Sequence, residues 1–501
     1  MKHFLNTSAL FLICNFLFLA TVNAQGALPA QANNDPIDIF IRKVMKGKNI
    51  PGLQLAVIRH GKIIKATNYG MANIEQSIPT VDQSVFSINS VTKAFVGVAI
   101  MQLSEDGKLN INDPLSKYID SLPPAWQKIT IQQVLTNSSG LPDIIDAQEN
   151  VIGNGTEQSA WEKVKQLPME FKTGEKFSYN QTGYVIIGKI INQLSGMHFT
   201  QFIESRQFQT AGMRSTRFGD SFDIIPNDAG AYSTVHNVNG RWVNNGPLGK
   251  AFMKFPVFFR TATGIISTAS DMANWIIALQ NGKLLKDKMS LQTLWSPAKL
   301  NNGRTGGFSD VLNGYALGFP TIERAEHPAV APVGGMRSAF FIYPKDDLSI
   351  IILTNLMGAN PESFTDKIAA YYIPDMLESN GFGLSPSVKI LRSALIKQGF
   401  DQAVGIAAVL KKKDAAFDLK ENDLNAWGYR LLGEKKNKEA MAIFKLNVSL
   451  YPKSGNTYDS LAELQDNMGD KENAVKNYKH AIELNPGNKN AVEQLKRLQG
   501  K

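Results

Sequence analysis

The stretch Val85–Ile100, VFSINSVTKAFVGVAI, sets Ser90 three residues ahead of Lys93 at the mouth of an apolar run. A serine hydroxyl is a poor nucleophile until a base takes its proton. Three residues apart on a helix, both side chains share one face. A helix N-terminus adds positive potential and free N–H groups that favour an oxyanion. The wall that follows (Ala94, Phe95, Val96, Val98, Ala99, Ile100) predicts a desolvated Lys93, its pKa lowered until it can act as a base. The spacing alone is not selective. Ser-x-x-Lys recurs at Ser296–Lys299, where Pro297 disfavours a buried helix start, and an ordinary helix start with a solvated lysine accounts equally well for an isolated hit.

Chemistry through such a serine also needs an acid/base partner and an oxyanion hole. In PMEFKTGEKFSYNQTGYVIIGKII (168–191), Tyr179 sits in a polar turn before an apolar helix, placed to project a phenol into a cleft. In PVGGMRSAFF (332–341), Gly334 and Gly335 stand at the entry to a strand, where a backbone N–H can approach a substrate closely. The plainer readings are a core-edge tyrosine and a simple bulge.

The elements that must hold these residues are legible as two hairpins with helices between. LQLAVI (53–58) and IIKATNYG (63–70) flank Arg59–Lys62, and MRSAFFIY (336–343) and LSIIILTN (348–355) flank Pro344–Asp347. Between them most segments look helical, as where Asp271 after Ser270 opens MANWIIAL. The expected fold is α/β: an antiparallel sheet built from both ends of the domain, with flanking helices and a helical region inserted in the middle. From about residue 388 strand signals stop. EAMAIFKLNVSLYP (439–452) returns as NAVKNYKHAIELNP (473–486), and Ala440/Ala474, Phe444/Tyr478, Leu450/Leu484 and Pro452/Pro486 are each 34 apart. That is the tetratricopeptide period. Residues 488–499 read as a capping helix and 388–413 as a degenerate preceding pair. The repeats either take a protein partner or dock on the preceding domain as a strut, and repeat number favours neither.

At 501 residues the chain should hold at least two domains. Its opening, MKHFLNTSALFLICNFLFLATVNAQ, has one basic residue, an apolar core and a Val22-Asn23-Ala24 cleavage site, a bacterial-type secretory signal over 1–24. An uncleaved anchor is the competing reading, because the apolar region is long. Cleavage predicts an exported protein, periplasmic or secreted, without stable membrane insertion. The single cysteine, Cys14, lies in that segment, so disulfides, thiolate metal sites and a cysteine nucleophile are excluded from the remainder. Losing Lys2 lowers the formal charge from +9 to +8. Residues 386–501 carry 20 Lys+Arg against 14 Asp+Glu, interspersed at helical spacing as on a solvated face, and no aromatic-interleaved basic motif points to nucleic acid. Six scattered histidines (3, 60, 198, 236, 327, 480) offer no metal-ligand spacing, so neither metal nor cofactor is expected. The layout expected is signal 1–24, leader 25–35, a first domain 36–380 and helical repeats 386–501.

With these segments in view, residues 36–378 resemble the serine β-lactamase and penicillin-binding-protein-like hydrolases, in the branch of class C β-lactamases, D-Ala-D-Ala carboxypeptidases and esterases. The resemblance rests on PGLQLAVIRHGK, FSINSVTKAF, EDGKLNINDPLSKYI, ITIQQVLTNSSGLPD, FSYNQTGYVIIGKI, TGIISTASDMANWIIAL, NGYALGF and SAFFIYPKDDLSIIILTN, in that order. It implies that Ser90 is acylated, that Lys93 and Tyr179 share the base and acid work, and that the N–H groups of Ser90 and Gly335 form the oxyanion hole. Two departures stand out. Where the family has Tyr-x-Asn, this chain has Tyr179-Asn180-Gln181, so Gln181 keeps the amide but shifts substrate positioning by a methylene. Where the family has Lys-Thr-Gly or His-x-Gly, it has Pro332-Val333-Gly334, without a side-chain donor for a substrate carboxylate. Arg337, two residues past Gly335 and so expected on the same strand face, is the candidate replacement cation. The resulting expectation is an exported serine hydrolase acting on an ester or amide, small molecule or peptide, and poor on β-lactams. The rival is a weak or inactive binding module whose repeats recruit a partner.

Overall fold

The computed structural model describes residues 35–147, 150–238 and 241–500. The expected signal segment, and the leader up to Asn34, lie outside these residues. The chain divides into two units at Asn49/Ile50. Of the first, the described part is a helix, Pro36–Lys48, with proline in its first turn. Asp35 caps it by accepting the Ile37 N–H at 2.8 Å, and Asn49 ends it in the left-handed region at φ 56°.

In the second unit, nine strands among the described residues form one antiparallel sheet. Its path runs Ile78–Pro79, Lys62–Asn73, Gly52–Arg59, Leu348–Thr354, Ser338–Tyr343, Ala329–Val330, Pro320–Ile322 and Gly314–Tyr315, with Val333–Gly334 paired beside Ser338–Tyr343. The two expected hairpins are its centre, joined where Leu53 pairs with Thr354 and Arg59 with Leu348. Leu348–Thr354 is buried at every position, the pattern of a strand covered on both faces, which is why Ile350–Leu353 reads as an unbroken apolar run. An aromatic column ties the Ser90 region to this sheet. Phe95 lies 4.2 Å from Trp275, and Trp275 lies 6.1 Å from Phe340. Burial of each such side chain contributes about 1.5–3 kcal/mol.

The inserted region is less purely helical than its sequence suggests. Two three-stranded sheets interrupt it. One pairs Tyr232–Val238 with Arg241–Lys250, a hairpin for which Asn239-Gly240 was the available sequence signal. The helix expected to open at Ser270-Asp271 instead runs Ala269–Gln280, capped by Thr268, whose hydroxyl accepts the Asp271 N–H at 3.1 Å. Asp271 is therefore in the first turn, beside the positive end of the helix.

The last 115 residues described are helical, as expected. Pairs run Pro386–Gln398 with Ala403–Lys413, Glu421–Gly433 with Asn437–Leu450, and Gly455–Asn467 with Lys471–Leu484, followed by Lys489–Leu498. Ala440, Ala474, Phe444 and Tyr478, the aligned small and aromatic positions, are all buried, whereas Leu450 is 43% exposed. These helices bury their own apolar clusters. Polar contacts tie them to the preceding residues: Lys389 pairs with Glu326, and Arg430 donates to the Phe382 carbonyl at 2.6 Å. Phe382 in turn lies under the Arg324 guanidinium, 4.8 Å away, which forks onto Asp366 at 2.6 and 3.0 Å.

Candidate active site

Ser90 sits in a short 3₁₀ turn, Asn89–Val91, that leads directly into the helix Thr92–Glu105. The residue before it, Asn89, is in the left-handed region at φ 48°. Asparagine tolerates that conformation better than most side chains, but it still costs energy that neighbouring contacts must offset. Here Ser87 Oγ donates to Asn89 Oδ1 at 3.3 Å, and Asn89 Nδ2 contacts Met253 Sδ at 3.5 Å. The strand Ile265–Ser267 grips the turn from both sides: Ile88 N–H donates to Ile265 O at 3.0 Å, and Ile265 N–H to Thr92 Oγ1 at 3.2 Å. Ser90 itself remains partly accessible.

Lys93 is 1% exposed. Its ammonium donates to the Gln181 amide oxygen at 2.8 Å and to the Ala262 carbonyl at 2.7 Å. It lies 4.7 Å from the ring centre of Tyr179 and 4.8 Å from that of Tyr184. Burial pushes its pKa down from 10.5 to about 7, against the opposing charge of Asp143. The desolvation expected from residues 94–100 is thus shared with two tyrosine rings from elsewhere in the chain. The amide that departs from the family's asparagine reaches the lysine after all.

Tyr179 precedes the helix Thr182–Ser195, as expected. Burial, then the nearby Tyr315, hold its pKa well above 10, while the side chains of Ser90 and Gln181 pull it the other way. Phe308 lies 4.9 Å from its ring and is 42% exposed, so an aromatic wall borders the Tyr179 phenol on the solvent side. Asn180, between the two site residues, faces inward: its amide donates to Leu141 O at 2.9 Å and accepts the Gly183 N–H at 3.0 Å, which fixes the helix start.

The strand Val333–Gly334 meets the Ser90 turn at close quarters. A Cβ on Gly334 would lie 2.1 Å from the Ile88 carbonyl and 2.9 Å from the Ser90 nitrogen, so only glycine fits. Gly335 follows at φ 54°, against the Asn89 side chain. Ser338 Oγ staples the contact by donating to Ile88 O at 2.7 Å. Ser90, Lys93, Tyr179, Gln181, Gly334 and Gly335 are therefore brought together. Arg337 is not among them. The turn at Gly335–Met336 reverses the chain, and Arg337 is 2% exposed, lining a small cavity.

Sequence reasoning passed over Asp143, Tyr184 and Phe308. Asp143 Oδ1 accepts the Gln181 N–H at 3.2 Å, and burial raises its pKa to about 6. It was visible only as the last residue of the SSGLPD segment. Tyr184 donates to Leu135 O at 2.8 Å and carried no signal beyond an apolar helix. Ser296 of the second Ser-x-x-Lys ends a helix and donates to Gln292 O at 2.7 Å. Among the described residues there is no group of three or more His, Cys, Asp or Glu that could hold a metal, and no helix is long and apolar enough to cross a membrane.

Comparison with known proteins agrees with this fold. The family described as Beta-lactamase matches residues 37–372, and a tetratricopeptide repeat matches 456–488. Protein flp of Staphylococcus aureus (strain MW2) is 25% identical over 327 residues, 64% of this chain and 62% of that protein. Penicillin-binding protein 4* of Bacillus subtilis (strain 168) is 28% identical over 266 residues, 50% of this chain and 57% of that protein. The chain thus spans less than two thirds of the length of these curated relatives. An octameric penicillin-binding protein homologue from Pyrococcus abyssi has the same fold, with a TM-score of 0.57 at 23% identity, over 71% of this chain and 80% of its own. The family match covers well over half of the sequence and spans every residue gathered around Ser90: the chain belongs to the β-lactamase family of serine hydrolases.

Proposed function

We propose that the protein hydrolyses an ester or amide, of a small molecule or peptide, through an acyl-enzyme on Ser90. Neutral Lys93, acting with Tyr179, takes the hydroxyl proton as the Ser90 Oγ–carbon bond forms. The backbone N–H groups of Ser90 and Gly335 hold the resulting oxyanion. Tyr179 then delivers a proton to the departing alcohol or amine, and water attacks the acyl-enzyme by the reverse path, releasing the acid. The observation that carries this reading is Lys93, buried beneath Tyr179 with a pKa of about 7, where an ordinary lysine would be charged and inert as a base.

Gln181 and Gly334 border the reacting carbonyl in this scheme. Pro332 and Val333 leave the place of the family's carboxylate-binding side chains without a donor. The preferred substrates are therefore uncharged at that end, as in the esterase side of the branch this chain resembles. Residues 36–380 form the catalytic part, and 386–501 present repeats to a protein partner. The protein is exported through the 1–24 signal.

Intact-protein mass spectrometry after a fluorophosphonate tests the nucleophile. The expected result is one adduct on the wild type and none on Ser90→Ala. Labelling that survives the substitution removes Ser90 from the mechanism.

A further inference from the structure

Arg337 is a buried cation without a counter-charge. It is 2% exposed, its Nε and Nη2 have no hydrogen-bond partner, and it forms no ion pair among the described residues. Its backbone holds it there. The Arg337 N–H donates to Gly334 O at 3.0 Å, and its carbonyl accepts from Thr354 N–H and Oγ1, each at 2.9 Å. The side chain borders a cavity of ≈ 20 Å³ together with Ser87, Asp228 and Met253. A single water needs about 10–15 Å³ by this measure, so the space suits one small occupant.

Two carboxylates share the lining, and neither serves the guanidinium. Asp220 accepts the Phe255 N–H at 2.7 Å and the Arg260 guanidinium at 3.3 Å. Asp228 is an exposed residue whose carboxyl is pushed up to about 6 by partial burial, and burial shifts Arg337 as well. A charge held out of water with its donors free is strongly unfavourable unless something accepts from it.

We propose that this cavity is a binding site for one small monovalent anion, a halide, held by Arg337 Nε and Nη2. Two of its walls reach the reacting centre. Ser87 and Met253 are the side chains that hold Asn89, the residue before Ser90. Occupancy therefore braces the strained turn that presents the nucleophile.

Melting of the full chain in sodium bromide against sodium gluconate, at equal ionic strength, tests the site. Bromide should raise Tm by several degrees once it exceeds its Kd about 100-fold, and gluconate, too large for the cavity, should not. Arg337→Met keeps the side-chain bulk and should erase the difference. A variant that retains the bromide effect overturns the proposal. Should that variant fail to fold, wild-type crystals soaked in bromide give the answer through an anomalous peak at the guanidinium. Equal melting in the two salts, or a water there in place of bromide, also overturns it.

The melting readout needs no turnover, so it stands or falls separately from the acyl-enzyme.

Discussion

Asp143 and Lys93 meet through a single intermediary. The Asp143 carboxylate accepts the backbone N–H of Gln181 at 3.2 Å, and the Gln181 side chain accepts from the Lys93 ammonium at 2.8 Å. The carboxylate thus both fixes the residue that holds the lysine and stabilises the lysine's charge across a buried space.

Replacing Asp143 with Asn should move the acid limb of the pH–rate profile to lower pH. Lys93 works as a base only when neutral, so the rate falls as pH drops through its pKa of about 7. Losing the Asp143 charge disfavours the ammonium and lowers that pKa further, while the amide oxygen can still accept the Gln181 N–H. The pH dependence of Ser90 labelling reads this directly. A limb that stays in place would leave Asp143 a purely structural residue.

Tyr179→Phe removes the phenol and keeps the ring that covers Lys93. Turnover should fall about 10²–10⁴-fold, the usual worth of a positioned acid or base, with the melting temperature nearly unchanged. A loss below tenfold would point to Lys93 as the sole base. Steady-state kinetics on a neutral ester decides between them.

Lys93 should be a stability liability. Its folded pKa of about 7 lies below its ordinary 10.5, so between these values the unfolded chain binds the extra proton, and stability from this group rises with pH. Lys93→Met should therefore abolish turnover yet raise Tm. The gain should be greatest below about pH 7 and shrink as pH climbs toward 10.5. Melting curves of both proteins at pH 6.5 and 9 test the trend, and a gain that grows with pH contradicts it.

The third-motif departure should set substrate preference. Penicillins and D-Ala-D-Ala peptides carry a carboxylate, and each lost charge-assisted hydrogen bond costs about 1.5–3 kcal/mol. Neutral esters should be favoured over β-lactams by a factor of about ten or more, the least that such a loss implies. Installing His-Thr in place of Pro332-Val333 should narrow the gap. Penicillin turnover that rivals the best ester would show that another group grips the carboxylate.

What could be read along the chain alone was what depends on near neighbours. Alternating and β-branched runs closed by Arg59–Lys62 and Pro344–Asp347 showed the two hairpins, because strand register and turn chemistry are local. The 34-residue spacing of Ala440/Ala474 and Phe444/Tyr478 showed the repeats, because each helix pair must bury the same small and aromatic positions. Ser90, Lys93 and Tyr179 stood out through their residue types and settings. Tertiary structure decided the rest. Asp143 and Gln181 are 38 residues apart, Lys93 and the Ala262 carbonyl 169, and no local pattern encodes such meetings. Arg337 is the clearest case. Alternation from Gly335 would have put it on the face of the cleft, but Gly335 lies in a left-handed turn rather than a strand, and the period of two does not carry through a turn. Whether a charged side chain faces water or a buried cavity is set by the elements around it, here the Ser87 and Met253 walls, and those come from distant parts of the sequence.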